Sequence, residues 1–98
     1  MKKKDYMQSV FSGISRHGMR MGQLRVLWTI GSLDGVASLS DMLLATGISE
    51  SHAQAALRAL ISTGEVEVVG MKTAGVGRPG RIYRLTPKGR ELFIDIFS

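Results

Sequence analysis

Apolar residues recur at spacings of three and four along the first part of the chain, which predicts amphipathic helices. The first stretch covers residues 5–17, although Gly13 and Gly18 weaken it. The second runs from Gln23 to Ile30, and we expect Gly31 and the following Asp-Gly pair to end it. The apolar positions of the first helix are Tyr6, Met7, Val10, Phe11 and Ile14. In the second helix Leu24, Leu27 and Trp28 share a face, which Val26 and Ile30 flank.

A short helix is predicted over residues 38–46. Ser38 and Ser40 are alternative N-cap residues, and Asp41 suits the first turn, where the helix dipole favours a negative charge. Gly47 is expected to end this helix, because glycine readily adopts the left-handed conformation found at helix C-termini.

Another helix is predicted almost immediately afterwards, with Ser49 as its N-cap and Glu50 in its first turn. It runs to about Thr63, and Gly64 provides the stop. Its alanine content gives it a high intrinsic helix propensity. The positions expected to face the core are Ala53, Ala56, Leu57 and Leu60.

After Gly64 the apolar period changes from three-and-four to two, which is typical of strands. Val66 and Val68 alternate with Glu65 and Glu67, so we expect a half-exposed strand with both glutamates on its solvated face. A glycine-rich segment over residues 70–80 then leads to a second strand over residues 81–85, with Tyr83 and Leu85 on one face. Two strands joined in this way predict a β-hairpin.

A last helix begins after this hairpin. Thr86 is a suitable N-cap, and Pro87 suits the first helical position because its missing N–H has no partner there. Its apolar positions are Leu92, Phe93, Ile96 and Phe97.

The chain has 98 residues, which predicts a single domain over residues 1–98. We divide it into a basic N-terminal arm and helix (1–20), a core (22–85) and a C-terminal helix (86–98). It has no cysteine, which excludes disulfides and thiol chemistry and fits a reducing cytoplasm. No apolar run approaches the ~18 residues of a membrane span, so neither export nor membrane insertion is expected.

The net charge of +5 is unevenly distributed. Residues 1–20 carry five basic residues against one acidic residue, and residues 71–98 carry six against two. Residues 21–70 carry two basic residues against five acidic ones. Basic ends indicate a polyanionic partner, usually a nucleic acid.

Two short helices joined at a glycine-containing turn predict a helix-turn-helix, and a hairpin directly after it predicts a wing. The chain resembles winged helix-turn-helix regulators of the MarR and PadR type in two features. These are the Ala-Thr-Gly-Ile-Ser sequence at 45–49 and the apolar pattern from Ala53 to Val66. The Gly-Arg-Pro of residues 77–79 and the segment 83–89 resemble the PadR-type wing. The expected fold is α+β, mainly α: a three-helix core with a β-hairpin wing and extra N- and C-terminal helices.

The candidate DNA-binding residues lie on the outward face of the helix over residues 49–63 and on the wing over residues 70–81. On the helix, serine, histidine, glutamine and arginine can hydrogen-bond to base edges or phosphates, and alanine can contact a thymine methyl group. Gln54 and Arg58 are the strongest candidates, whereas a solvated helix face is the alternative. The full set is Ser49, Ser51, His52, Gln54, Ala55, Arg58, Lys72, Arg78 and Arg81.

The resemblance implies sequence-specific binding to double-stranded DNA by a transcriptional repressor that forms a homodimer through its terminal helices. Such a dimer predicts a palindromic site. The candidate helix has Arg58 as its only cation and Glu50 near its start, so phosphate affinity must come from the wing and from the lysines at 2–4. Leu44 is predicted to be exposed. No small-molecule effector pocket is evident.

Other chemistries find little support. The G-x-G-x-x-G spacing at 75–80 is followed by a strand rather than a helix, unlike the dinucleotide fingerprint. No metal-ligand spacing and no catalytic constellation is present, so we expect neither a cofactor nor enzymatic activity. Two alternatives stay open: a plasmid or phage replication, partition or architectural DNA-binding factor, and a winged helix that binds only proteins.

Overall fold

The computed structural model describes the backbone of residues 6–72 and 80–97, and side chains over 7–70 and 80–97. The described chain contains five helices and three strands, and the predicted fold class, a mainly helical α+β winged helix-turn-helix, is confirmed. The tip of the predicted wing lies outside the described residues. The elements are α1 (Tyr6–His17), α2 (Met21–Ser32), β1 (Val36–Ser38), α3 (Leu39–Thr46), α4 (Glu50–Ser62), β2 (Val66–Lys72), β3 (Gly80–Leu85) and α5 (Pro87–Phe97).

The helix-turn-helix consists of α3 and α4, and local signals define its ends. Of the two predicted N-caps of α3, Ser38 is the one used: its Oγ accepts a hydrogen bond from Asp41 N at 3.2 Å, and Asp41 Oδ2 accepts one from Ser38 N at 3.2 Å. Gly47 ends α3 in the left-handed conformation (φ 68°). Gly64 follows α4 with φ 88°, as predicted for a stop.

Helix α2 is longer than predicted, and the expectation that Gly31 ends it is wrong. The helix starts at Met21 and continues through Gly31 to Ser32. Gly31 instead provides space for α5, because a Cβ atom there would lie 2.3 Å from Cε2 of Phe93. The turn comes later, where Asp34 (φ 61°) and Gly35 (φ 85°) both adopt positive φ.

The wing belongs to a three-stranded antiparallel sheet with the order β1-β3-β2. The sequence did not predict β1, because a three-residue strand is too short to show a period of two. Its register pairs Val36 with Arg84 and Ser38 with Ile82. Because β3 pairs with both other strands, the base of the wing is held against α3, which follows β1 directly.

The expectation that Glu65 lies on a solvated face is wrong. Glu65 is only 9% exposed, and its Oε2 has no hydrogen-bond partner among the described residues. The close approach of α5 causes this burial: Glu65 O accepts a hydrogen bond from Thr86 N at 3.0 Å, and a Cβ atom at Gly89 would lie 2.0 Å from Glu65 O. Glu67, in contrast, is partly exposed and pairs with Arg84 on β3, with 3.0 Å between Oε1 and Nε.

The terminal helices contribute to the core. Val10 of α1 and Ile96 of α5 are 1% and 0% exposed. At the surface, Asp95 Oδ2 lies 2.8 Å from His17 Nε2 and 3.5 Å from an Arg16 guanidinium nitrogen, which links the end of α1 to α5. None of the helices in the described ranges is long and apolar enough to cross a membrane.

Candidate nucleic-acid interface

Helix α4 separates a buried face from an exposed one, as the sequence predicted. The alanine and leucine stripe at Ala53, Ala56, Leu57 and Leu60 is at most 6% exposed and packs into the core. The opposite face presents the exposed side chains of Ser51, His52, Gln54, Ala55 and Arg58. A buried stripe of four residues fixes the rotation of α4, so the polar residues have a defined orientation.

Three of the predicted site residues meet at the start of α4. Ser49 is the N-cap, and its Oγ accepts a hydrogen bond from His52 N at 3.3 Å. The same Oγ lies 2.8 Å from His52 Nδ1 and 3.3 Å from Ser51 Oγ. These contacts tie the imidazole ring to the helix start, where the dipole is positive and backbone N–H groups favour an anion.

A groove of about 550 Å³ lies between α4 and the base of the wing. It brings together Gln54 and Arg58 from α4 and Arg81 from β3. Glu50 also lines this groove and reduces its positive charge. We call it the wing-side groove; its other lining residues are Leu39, Ser40, Leu57, Ile61, Gly80 and Tyr83.

A second groove of about 540 Å³ lies on the opposite flank of α4, against the start of α2. Two predicted site residues, His52 and Ala55, line it together with Arg20 and Arg25. We call it the α2-side groove; its other lining residues are Met21, Gly22, Gln23, Ile48, Ala56 and Ala59.

Neither arginine of the α2-side groove is among the predicted site residues, because the predicted interface comprised only α4 and the wing. A usable signal was present for one of them: Arg25 immediately follows Leu24, so it projects away from the buried face of α2. The packing of the start of α2 against α4 has no local sequence signal.

The remaining predicted residues lie on the wing. Arg81 is exposed on β3, where its partner in the register is Met71. Lys72 is paired with Gly80 at the end of the described hairpin, and its side chain is not described. Arg78 lies outside the described residues. Arg84 is an additional wing cation, but its pairing with Glu67 neutralises it locally.

Within the described part of the chain, no group of three histidine, cysteine or carboxylate side chains is arranged to hold a metal ion. The site residues are therefore hydrogen-bonding and cationic groups on a helix and a hairpin. Such an arrangement can bind an extended anionic surface, and it contains the donors that read base edges.

Neither a protein-family model nor a curated protein sequence matches the chain. Solved structures do match it. BpsR of Bordetella bronchiseptica, whose DNA binding is regulated by 6-hydroxynicotinic acid, superposes with a TM-score of 0.69 at 24% identity, over 92% of this chain and 67% of that one. MarR of Staphylococcus aureus, solved with salicylate and kanamycin, gives a TM-score of 0.70 at 22% identity, over 93% and 58%.

A MarR/EmrR family transcriptional regulator from Acinetobacter sp. ADP1 gives a TM-score of 0.69 at 20% identity, covering 91% of this chain and 60% of that one. These likenesses establish the fold: the chain has the winged-helix architecture of MarR-type transcriptional regulators, which confirms the resemblance drawn from the sequence. The chain spans only about three fifths to two thirds of the length of these three proteins.

Proposed function

We propose that the protein binds double-stranded DNA in a sequence-specific manner, as a transcriptional repressor that acts as a homodimer. The observation that carries this proposal is the exposed polar face of α4, flanked by two grooves that both contain arginines. A helix is about 10–12 Å across with its side chains, which matches the width of about 12 Å of the major groove.

In this proposal α4 enters the major groove, and each exposed residue has a role suited to its chemistry. Gln54 and Arg58 contact bases, because an amide can pair with adenine and a guanidinium with guanine. Ala55 contacts a thymine methyl group. Ser49, Ser51 and His52 contact a phosphate at the start of α4, where their mutual hydrogen bonds gather them.

The wing over residues 70–81 contacts the DNA backbone or the minor groove. Arg81 supports this role, since it shares the wing-side groove with Gln54 and Arg58. Lys72 and Arg78 are further phosphate contacts in this proposal. The wing is needed electrostatically, because Arg58 is the only cation of α4 and Glu50 opposes it.

A homodimer through the terminal helices is supported by apolar side chains that the fold leaves exposed. Phe11 is 64% exposed and Ile14 is 42% exposed on α1, and Ile94 is 59% exposed on α5. Two-fold pairing would place two copies of α4 about one DNA turn apart and would require a palindromic operator.

The fold neighbours favour regulation over catalysis, since they are transcriptional regulators. Two of them are connected with small molecules, namely 6-hydroxynicotinic acid for BpsR and salicylate with kanamycin for the staphylococcal protein. The prediction that this protein has no small-molecule effector therefore stays untested.

The proposal is tested by selection from a random pool of DNA duplexes. The enriched duplex is then sequenced, and its binding is measured in a salt titration. We expect an enriched palindrome whose binding constant falls steeply with salt concentration. Binding without enrichment would instead favour an architectural or replication role. No binding at low salt would contradict the proposal and would favour a module that binds only proteins.

A further inference from the structure

The α2-side groove differs from the wing-side groove in its charge. Arg20 and Arg25 line it, and no carboxylate occurs among its described lining residues. The wing-side groove is also lined by two arginines, but Glu50 lines it as well. Among the described lining residues, the α2-side groove therefore carries the larger net positive charge.

Small residues from both helices line part of the α2-side groove. Gly22, Ala55 and Ala59 line it. A Cβ atom at Gly22 would lie 4.0 Å from Cβ of Ala56, so the start of α2 packs closely on α4. Because these side chains are short, they leave room for the strand of an extended ligand to reach the two arginines.

The arginines are held on a rigid element. Leu24 and Leu27 of α2 are completely buried, so this helix cannot rotate without disrupting the core. At its start, Arg20 N donates a hydrogen bond to Gln23 Oε1 at 2.8 Å. Both guanidinium groups are thus presented beside α4 from a fixed backbone.

A helix that fills a groove about 12 Å wide has a sugar-phosphate strand on each of its flanks. With α4 in the major groove, the wing-side groove faces one strand and the α2-side groove faces the other. We propose that the α2-side groove is a second DNA-backbone site, in which Arg20 and Arg25 bind phosphates of the strand opposite the wing. This inference rests on the proposed function and adds residues to it.

Contacts of this kind determine affinity and docking orientation rather than sequence preference. They also account for how a helix with a single cation is held against DNA: α4 reads bases, while arginines on both of its flanks neutralise the two strands. The DNA footprint would then include the start of α2 as well as α4 and the wing.

The test compares salt titrations of DNA binding by fluorescence anisotropy. Arg20→Ala and Arg25→Ala each remove one phosphate contact per subunit, so each is expected to reduce the slope of log K against log salt by about two for the bound dimer, and to weaken binding to the selected and scrambled duplexes equally. Arg16→Ala is the charge-matched control, since Arg16 lies on α1 beside Asp95, and its slope should equal that of the unmodified protein.

Two further variants separate charge from structure. Arg20→Lys and Arg25→Lys keep the positive charge, so they should retain most of the slope. Circular dichroism melting of all variants verifies that α2 still forms. If the alanine variants reduce the slope and the lysine variants do not restore it, the result would contradict a phosphate contact.

Phosphate ethylation interference locates the contacts directly. In each half-site, binding of the unmodified protein should be inhibited by ethylation on both strands that border the major groove. The Arg20→Ala/Arg25→Ala double variant should lose interference on one of these two strands in each half-site, and the strand affected alternates between the half-sites. If the double variant keeps both sets and an unchanged slope, this inference is wrong while the proposed function stands. If the unmodified protein binds no duplex, both are wrong.

Discussion

At the scale of single residues, Arg58 is the most informative position of the proposed interface. It is exposed on α4, lines the wing-side groove and lies beside Gln54. Arg58→Ala should weaken binding to the selected duplex by about 1–3 kcal/mol per half-site, because each subunit would lose a bidentate contact to guanine. It should also relax the sequence preference at one base pair of each half-site.

Anisotropy titrations on the selected duplex and on single-base variants of it measure both effects of Arg58→Ala. Arg16→Ala removes the same charge away from α4 and serves as the control. Equal loss of affinity across all duplexes would show that Arg58 contacts only phosphates. No loss at all would remove Arg58 from the interface.

Gly31→Ala sets two opposite effects against each other, namely the higher helix propensity of alanine and the space needed by its Cβ atom. Replacement of an interior helical glycine by alanine ordinarily stabilises a helix, by up to about 1 kcal/mol. Here the new Cβ atom would lie 2.3 Å from the Phe93 ring, so we expect Gly31→Ala to destabilise the protein by about 1–3 kcal/mol. Thermal unfolding should show a lower Tm.

Gly22→Ala is the matched control for Gly31→Ala, because both glycines lie in α2. Its new Cβ atom would meet Ala56 at 4.0 Å, an ordinary contact, so its Tm should be unchanged or higher. A Tm for Gly31→Ala that rises as well would contradict the packing of α5 on α2.

The wrong predictions at Gly31 and Glu65 have the same physical origin. The local sequence predicts Gly31 as a helix stop and Glu65 as a solvated position on a strand, and both of these are surface features. Both are in fact covered by α5, through Phe93 in one case and the backbone near Gly89 in the other. Packing between segments distant in the chain leaves no trace in local periodicity, so this level of detail could not be predicted.

At the scale of elements, prediction succeeded where the signal is local. The correctly predicted helix ends all act through hydrogen bonds or backbone preferences within a few residues. They are the N-caps Ser38 and Ser49, the left-handed Gly47 and the Thr86-Pro87 start of α5. Strand β1 was missed because its existence depends on pairing with β3.

The choice between the two predicted N-caps of α3 can be tested in solution. Ser38→Ala removes the acceptor of Asp41 N, so it should reduce the free energy of unfolding by about 1 kcal/mol. Ser40→Ala is the matched control and should have little effect, because Ser40 is exposed inside α3 and does not cap it.

Urea denaturation of the two serine variants gives the comparison. The expected outcome is a lower midpoint for Ser38→Ala with an unchanged m-value. Equal midpoints for the two variants would show that the capping box does not stabilise α3 in solution.

At the scale of the whole molecule, the proposed homodimer depends on apolar side chains at the two ends of the chain. Phe11 is 64% exposed on α1. Phe11→Asp should convert the dimer to a monomer, because a carboxylate would be buried without a partner in the interface. Light scattering coupled to size-exclusion chromatography measures the mass.

Leu44→Asp is the control for Phe11→Asp, since Leu44 is 87% exposed as predicted but lies on α3. It should leave the dimer intact. If Phe11→Asp stays dimeric and Leu44→Asp does not, the dimer forms through the helix-turn-helix rather than the terminal helices.

Packing between distant segments also explains why the proposed interface was only partly predictable from the sequence. The exposed face of α4 follows from helical periodicity, so its polar residues could be chosen from the sequence. The α2-side groove depends on how the start of α2 packs on α4, and Arg20 and Arg25 enter the site only through that packing. The site as a whole is a property of the assembled helices.

The central claim, that α4 lies in the major groove of DNA, is tested most directly by methylation protection. Dimethyl sulfate modifies guanine N7, which lies in the major groove, and adenine N3, which lies in the minor groove. On the selected duplex we predict protection of guanine N7 in each half-site, and loss of protection at one guanine of each half-site for Arg58→Ala. Unprotected guanine N7 throughout a fully bound duplex would contradict the account.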